Sequence, residues 1–131
     1  MIVDTSAILA IVLKEKDADI YRQALVDNAD VAISAANWFE GTLRIDRPGR
    51  EVGARYDDLF PALSIDIVPV TDTHARAARE AYRQFGRGNH RAGLNFGDCF
   101  AYALAKTEGR VLLFKGDDFS NTDVFAARPA S

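Results

Sequence analysis

Short apolar runs alternate along the chain with longer segments of mixed pattern, and this alternation sets the expected elements. "MIVD" reads as a short strand ending at Asp4, followed by a helix in "TSAILAIVLKE" with Thr5 or Ser6 as its cap. Residues 17 to 28 read as a second helix. "VAIS", 31 to 34, is a short β-rich run whose last residue, Ser34, can cap the helix "AANWFEGTLRI". The stretch "RPGREVGARYDDLFPAL" predicts a helix around 50 to 60, with Pro48 and Pro61 marking its ends. "IDIVPVTD" supplies a third strand, and in "THARAAREAYRQF" the residues Ala75, Ala78, Tyr82 and Phe85 are spaced as one helix face. The next helix begins near Gly97 and runs to about Glu108, where Gly109 stops it. "VLLF", uniformly apolar, predicts a central fourth strand, and "DVFAA" a weaker fifth.

Short apolar strands alternating with helices predict an α/β fold, a parallel sheet covered on both faces. In such sheets the ligand site lies beyond the carboxyl ends of the strands. No Pro/Gly/Ser linker or internal repeat interrupts the 131 residues, so residues 1–131 read as a single domain. A composition of 48% hydrophobic and 27% charged residues fits a soluble globular chain. The lone Cys99 excludes an intrachain disulfide framework and suits a reducing compartment. Asp4 interrupts the apolar start, and no segment reaches the roughly 18 apolar residues of a membrane span, so the expectation is a cytoplasmic protein with no membrane partner. A formal net charge of -3 argues against non-specific nucleic-acid affinity but leaves room for a local basic patch.

The acids add chemistry to this frame. In "NFGDCFAYALA", Asp98 is the one charge in an otherwise uncharged stretch, in the first turn of its helix, where the backbone dipole favours an anion. Asp4 ends the first strand. Glu40 falls on the same helical arc as Ala36, Phe39 and Leu43, a stripe expected to be buried. Asp117 and Asp118 follow the fourth strand. Each has an ordinary alternative: Asp4 and Asp98 as caps, Glu40 at the helix edge reaching solvent, Asp117 or Asp118 as turn residues. Together they form a recurrent set of carboxylates at comparable topological places, and such a set repels itself unless a cation joins it. Hard oxygen ligands suit Mg²⁺ or Mn²⁺, ions able to activate water and neutralise charge on a phosphodiester. Zinc does not fit, because His74, His90 and Cys99 have no compact ligand spacing.

The same residues carry a family resemblance. "MIVDTSAILAIVL", the helix glutamate of "SAANWFEGTL", "GRGNHRAGLNFGDCFAYALAK" and "LLFKGDDFSNTDV" together resemble a PIN-domain ribonuclease, specifically the VapC-type toxin of a bacterial toxin–antitoxin pair, over nearly the whole chain. The resemblance implies a three-layer α/β/α fold with a central, mostly parallel sheet and Mg²⁺- or Mn²⁺-dependent endonucleolytic cleavage of RNA. It also implies a homodimer, and inhibition by a small VapB-type antitoxin in a toxin–antitoxin hetero-oligomer. Asp4 matches the acid after the first strand, Glu40 the helix acid and Asp98 the acid opening the late helix. Many members carry acid-x-acid-Phe after the fourth strand. Gly116 stands at the first of those positions and Asp118, before Phe119, at the second, while Asp117 and Asp123 are further candidate acids.

On this reading Asp4, Glu40 and Asp98 hold the principal ion, Asp118 completes the negative pocket, and Thr5 or Ser6 hydrogen-bonds a ligating carboxylate. Arg83, Arg87, His90, Arg91 and Lys115 are the candidate RNA contacts, with Arg44, Arg47 and Arg50 a second basic stretch facing RNA or antitoxin. Trp38, Phe39, Phe60, Phe96, Phe100, Phe114 and Phe119 are assigned mainly to the core, with Leu9, Val12 and Leu13 as candidates for a partner groove. A dinucleotide-binding fold is excluded, since "VDTSA" lacks the glycine-rich turn. The remaining alternative is a non-catalytic RNA-binding or complex-forming module, which the glycine at position 116 keeps open.

Overall fold

The first strand, β1 (Ile2–Val3), is short because Asp4 already leaves it to cap the helix that follows. The computed structural model describes residues 1–47 and 52–127. In chain order β1 is followed by α1 (Thr5–Val12), α2 (Ala18–Val26), β2 (Val31–Ser34), α3 (Ala35–Ile45), α4 (Val52–Ala62), β3 (Ile65–Val68), α5 (Asp72–Phe85), α6 (Phe96–Glu108) and β4 (Leu112–Leu113). The strands form a parallel sheet in the order β3-β2-β1-β4.

Side chains alternate across this sheet. Val3, Ile33 and Leu113 face a layer formed by α1 to α4 and pack with Ile8, Leu25, Tyr56 and Phe60. Ile2, Ala32 and Leu112 face the opposite way and pack with Phe85, Ala101 and Leu104 of α5 and α6. The result is the expected three-layer α/β/α arrangement. Each fully buried Ile or Leu contributes roughly 1.5–3 kcal/mol relative to exposure. Strands of two residues are therefore held by packing on both faces more than by their few ladder bonds.

The strand order fixes where ligand chemistry can occur. From β1 the chain moves to β2 and β3 on one side, then returns through α5 and α6 to β4 on the other. The end of β1 is thus a topological switch point, where adjacent connections diverge and leave a crevice. Asp4 stands there, its backbone N–H donating to Leu113 O at 2.9 Å.

Several sequence expectations need correction. Asp4, rather than Thr5 or Ser6, caps α1, and the helix ends at Val12 because the chain turns at Lys14, where φ is 55°. Pro61 lies within the last turn of α4 instead of bounding it, and Pro48 falls outside the described residues. On α5 the buried face is Ala78, Ala81 and Phe85, while Ala75 and Tyr82 are exposed. "VLLF" is an edge strand, not a central one, and only Leu112 and Leu113 are extended in it. "DVFAA" forms no strand among the described residues. It closes that edge by an isolated bridge, Leu112 N–H donating to Phe125 O and Ala127 N–H to Leu112 O, each at 2.8 Å. That cover lets an edge strand be as apolar as a central one.

The inward face of α3 also differs from the one its apolar spacing predicts. Phe39 and Leu43 are 58% and 60% exposed, and the inward line is Asn37, Gly41 and Ile45. It repeats every four residues, as a helical face must, but its first two members are not hydrophobic and so escape a search for apolar spacing. Of the aromatics assigned to the core, Phe60 and Phe119 are buried, and Trp38, Phe100 and Phe114 are half-buried. Phe39 is exposed, as is Phe96 at 79%.

Candidate active site

Asp4 is buried at the end of β1 with only 5% of its surface exposed. Its Oδ2 accepts from the Ser6 backbone N–H at 3.0 Å and from the Ser6 hydroxyl at 2.6 Å. Ser6 Oγ in turn accepts from the Lys115 backbone N–H at 3.0 Å, tying the loop after β4 to the first acid. Burial pushes the Asp4 carboxyl up to about 6, against the pull of the Ser6 hydrogen bonds and with further help from the charge of Glu40.

Glu40 reaches the same place from α3. Its Oε1 accepts from Thr5 Oγ1 at 2.8 Å and from Asn37 Nδ2 at 3.3 Å. Asn37 is fully buried, and its Nδ2 also donates to Gly97 O at 2.9 Å, joining α3 to the first turn of α6. A Cβ on Gly97 would lie 1.8 Å from Glu40 Oε2, so a larger residue there would push this carboxylate out of its present position.

Asp98 opens α6 in a capping box. Asn95 N–H donates to Asp98 Oδ2 at 3.0 Å, and Asp98 N–H donates to Asn95 Oδ1 at 2.9 Å. Burial pushes Asp98 up to about 7; the Asn95 hydrogen bond opposes this, whereas the charges of Asp4 and Asp118 reinforce it. Asp118, exposed on the loop after β4, is close enough for its charge to act on Asp98.

Asp4, Glu40 and Asp98 border a cavity of about 410 Å³, lined also by Thr5, Ser6, Leu9, Leu43, Arg44 and Asn95; Asp118, like Asp123, lies outside that lining. A larger groove of about 590 Å³ between α5 and α6 shares Asn95 with it but is lined by no carboxylate, so the acid chemistry belongs to the smaller cavity. The acids form a chain of neighbours, Glu40 to Asp4 to Asp98 to Asp118, linked by mutual charge. Among the described residues, no three His, Cys, Asp or Glu side chains are grouped so as to hold a metal ion. The donor set is nevertheless all oxygen and electrostatically frustrated, with two carboxyls held toward their neutral forms by burial and mutual repulsion. It fits a hard divalent cation, whose charge would remove that frustration.

Comparison with known proteins identifies the family. The PIN domain family matches residues 1–124. The chain belongs to the PIN-domain family. It is 46% identical over 127 residues to a ribonuclease VapC of Mycolicibacterium smegmatis, covering 96% of this chain and 98% of that one. Among solved structures it is similar to VapC20 of Mycobacterium tuberculosis, a toxin that cleaves the sarcin–ricin loop, with a TM-score of 0.78, 19% identity and 98% of each chain covered. It is also similar to VapBC2 of Rickettsia felis bound to a promoter DNA fragment, with a TM-score of 0.74, 16% identity, and 95% of this chain and 94% of that chain covered. At those identities the two structures speak to fold alone.

In this PIN domain four of the acids singled out in the sequence, Asp4, Glu40, Asp98 and Asp118, are neighbours in space, and Thr5 and Ser6 support the first two. Two other acids go elsewhere. Asp117 is an exposed turn residue whose carbonyl accepts from Ser120 N–H at 3.0 Å. Asp123 accepts from the Tyr102 hydroxyl and from Lys106 Nζ, the latter at 3.2 Å, and lies outside the cavity lining.

The basic residues also divide. Lys115 is clamped by Glu15 and Asp17, the second at 2.9 Å, which points its ammonium toward the α1–α2 turn. Arg83 pairs with Glu80 at 2.7 Å. His90 accepts from Ala92 N–H at 3.0 Å through Nδ1 and packs edge-on against Phe85, as a turn residue does. Arg87 and Arg91 are exposed, Arg87 on the larger groove. Arg44 lines the acidic cavity, Arg47 is exposed, and Arg50 lies outside the described residues. Sequence reasoning missed Asn37, Asn95 and Gly97. The available signals were a polar residue three positions before Glu40, a cap residue three before Asp98, and the small residue preceding Asp98.

Proposed function

We propose that this PIN domain, spanning the chain, is a cytoplasmic endoribonuclease toxin that hydrolyses phosphodiester bonds in structured RNA with Mg²⁺ or Mn²⁺ and is neutralised by a cognate VapB-type antitoxin. The observation that carries the reading is the gathering of Asp4, Glu40, Asp98 and Asp118, from four separate segments, at the switch point of the sheet. Near-full-length similarity to a ribonuclease VapC supports the reaction class. The same near-full-length relative is named as a VapC, which supports the antitoxin.

In this mechanism Asp4, Glu40 and Asp98 would hold the principal ion, and Asp118 would complete the negative pocket or contribute to a second, weaker site. A divalent ion held there would acidify a water and offset charge developing on the phosphate. The chain's own groups prepare the place. Ser6 fixes Asp4, Thr5 and Asn37 fix Glu40, and the Asn95 backbone fixes Asp98, each by hydrogen bonds to the carboxylate. Asp98, held toward its neutral form by burial and by the charges of Asp4 and Asp118, would give up its proton on binding a cation. Arg87 and Arg91 contact phosphates flanking the acidic centre, and a homodimer sets two such centres within a toxin–antitoxin hetero-oligomer.

A second reading, a non-catalytic RNA-binding or complex-forming module, draws on Gly116. This residue occupies the position of a family acid and has φ 100°, a conformation that disfavours any carboxylate-bearing residue there. The deciding experiment compares cleavage of a structured-RNA panel by folded, antitoxin-free wild type and Asp98→Asn, with Mg²⁺, with Mn²⁺ and with chelator. Metal-dependent cleavage lost in the variant supports the nuclease. RNA binding without cleavage under every condition selects the module.

A further inference from the structure

Asn37 is the buried polar residue of the site whose chemistry no acid–metal role explains. Both protons of its amide are committed, one to Glu40 Oε1 at 3.3 Å and one to Gly97 O at 2.9 Å. Its Oδ1 is buried without a partner among the described residues. Turning the amide over would not relieve this, because it would set the oxygen against the Gly97 carbonyl and the Glu40 carboxylate, acceptors both. A residue present only to fill space would not leave a buried carbonyl oxygen unsatisfied, since that oxygen gives up water for nothing. The amide is kept for its donors.

What the donors do follows from the surroundings of Glu40. Thr5 Oγ1 lies 2.8 Å from Glu40 Oε1 and 2.9 Å from Asn37 O, yet a hydroxyl has one proton to give. Whenever Thr5 turns to the carbonyl, Asn37 Nδ2 is the donor left on Glu40. Both donors act on Oε1. Oε2 is lodged over the bare Cα of Gly97, where any Cβ would lie 1.8 Å away. Asn37 therefore fixes the distance between α3 and the α6 terminus and the rotation of the Glu40 carboxylate in one contact set.

Resting on the proposed nuclease reading, we infer that Asn37 is a positioning residue: its amide, with the hollow at Gly97, orients Glu40 so that Oε1 takes the protein's donors and Oε2 would be left for the cation. Asp98 follows Gly97 directly, so the same clasp sets two candidate ligands relative to each other.

The test measures Mn²⁺ binding to the metal-free protein by calorimetry and RNA cleavage by steady-state kinetics in wild type, Asn37→Ala, Asn37→Ser, Gly97→Ala, Glu40→Gln and the Asn37→Ala/Glu40→Gln double variant. Loss of a group that orients a ligand lowers metal affinity or activity on the order of 10–100-fold. Asn37→Ala should show that loss in Mn²⁺ affinity and in kcat with little change in KM for RNA. Gly97→Ala should reproduce it from the other side of the carboxylate, and Asn37→Ser should recover part of it. The double variant should bind Mn²⁺ no more weakly than Glu40→Gln alone, because Asn37 acts through Glu40. Wild-type Mn²⁺ affinity in folded Asn37→Ala, or in folded Asn37→Ser and Gly97→Ala should Asn37→Ala not fold, overturns the inference. So does a double variant whose losses simply add. A wild type that neither binds Mn²⁺ nor cleaves RNA instead overturns the nuclease reading, and this inference with it.

Discussion

Asn95 and Asp98 cap each other across the first turn of α6, backbone N–H to side-chain oxygen in both directions, at 3.0 and 2.9 Å. The helix dipole and this pair of bonds favour a charged Asp98. Burial and the neighbouring Asp4 and Asp118 oppose it and hold the carboxyl up at about 7. The terminus of α6 is thus committed to a charge that the metal-free fold disfavours.

Stability should carry the sign of that conflict. A carboxyl whose folded pKa exceeds its unfolded value of about 3.9 binds more protons in the native state, so stability falls as pH rises between the two values. For Asp4 and Asp98 that window runs from about 4 to about 6 and about 7 respectively, and the loss persists above it. Urea unfolding in chelator should find the wild type less stable near pH 8 than near pH 5. Asp98→Asn keeps an oxygen for the Asn95 N–H and loses the charge, so it should be more stable than wild type near pH 8 by roughly 1–3 kcal/mol.

A bound cation should reverse the same penalty. Ligands that bind only the native state stabilise it by mass action, so Mn²⁺ at about 100 times its dissociation constant adds roughly 2.7 kcal/mol. Thermal unfolding near pH 8 should show Tm rising with Mn²⁺ in wild type, falling back with chelator, and responding weakly in Asp98→Asn.

Ser6→Ala removes the hydroxyl that donates to Asp4 at 2.6 Å and receives the Lys115 N–H. The charged form of Asp4 loses a hydrogen bond, so its pKa should climb beyond about 6. The ascending limb of kcat/KM against pH should move to higher pH, with about 1 kcal/mol lost in stability. An unmoved limb would show that Asp4 ionisation does not govern the rate.

Asp118 and Asp123 should separate cleanly. Asp118→Asn removes a partner of Asp98 and should reduce cleavage, most at limiting Mn²⁺. Asp123 instead serves Tyr102 and Lys106. Its Asn variant should cleave RNA as wild type does and show a change in unfolding midpoint alone.

RNA affinity should depend on Arg87 and not on Lys115, whose ammonium is occupied by Glu15 and Asp17. Filter binding of RNA to an Asp98→Asn background across salt concentrations reads this directly. Each phosphate contact to single-stranded RNA contributes a slope of about 0.7 in log K against log salt. Arg87→Ala should lower the slope by about that amount and Lys115→Ala should leave it unchanged.

Much of the site could be read along the chain because a carboxylate in an apolar context is conspicuous. Asp4 after "MIV" and Asp98 within "NFGDCFAYALA" stand out by their surroundings, and both lie in the acidic cavity. Glu40 was found for a partly mistaken reason. The stripe that singled it out, Phe39 and Leu43, is exposed, whereas the inward line of α3 begins with Asn37 and Gly41. Apolar spacing locates a helix face only when that face is apolar, and a face that supports a charged centre is not.

Sequence by itself determined what local chemistry dictates: strands where apolar residues cluster, helices begun by Ser34 and ended at Gly109, where φ is 64°, and the identity of the acids. Tertiary structure alone decided which of them meet. Asp118 and Asp123 are five residues apart in one loop, yet one faces Asp98 and the other Tyr102. Lys115 is as basic as Arg87, yet it is captured by carboxylates from the α1–α2 turn. Asn37 and Gly97 acquire their roles only when α3 and α6 close on Glu40. These are contacts between residues far apart in the chain, set by how two layers pack on a sheet, and no local pattern encodes which side chain finds which partner.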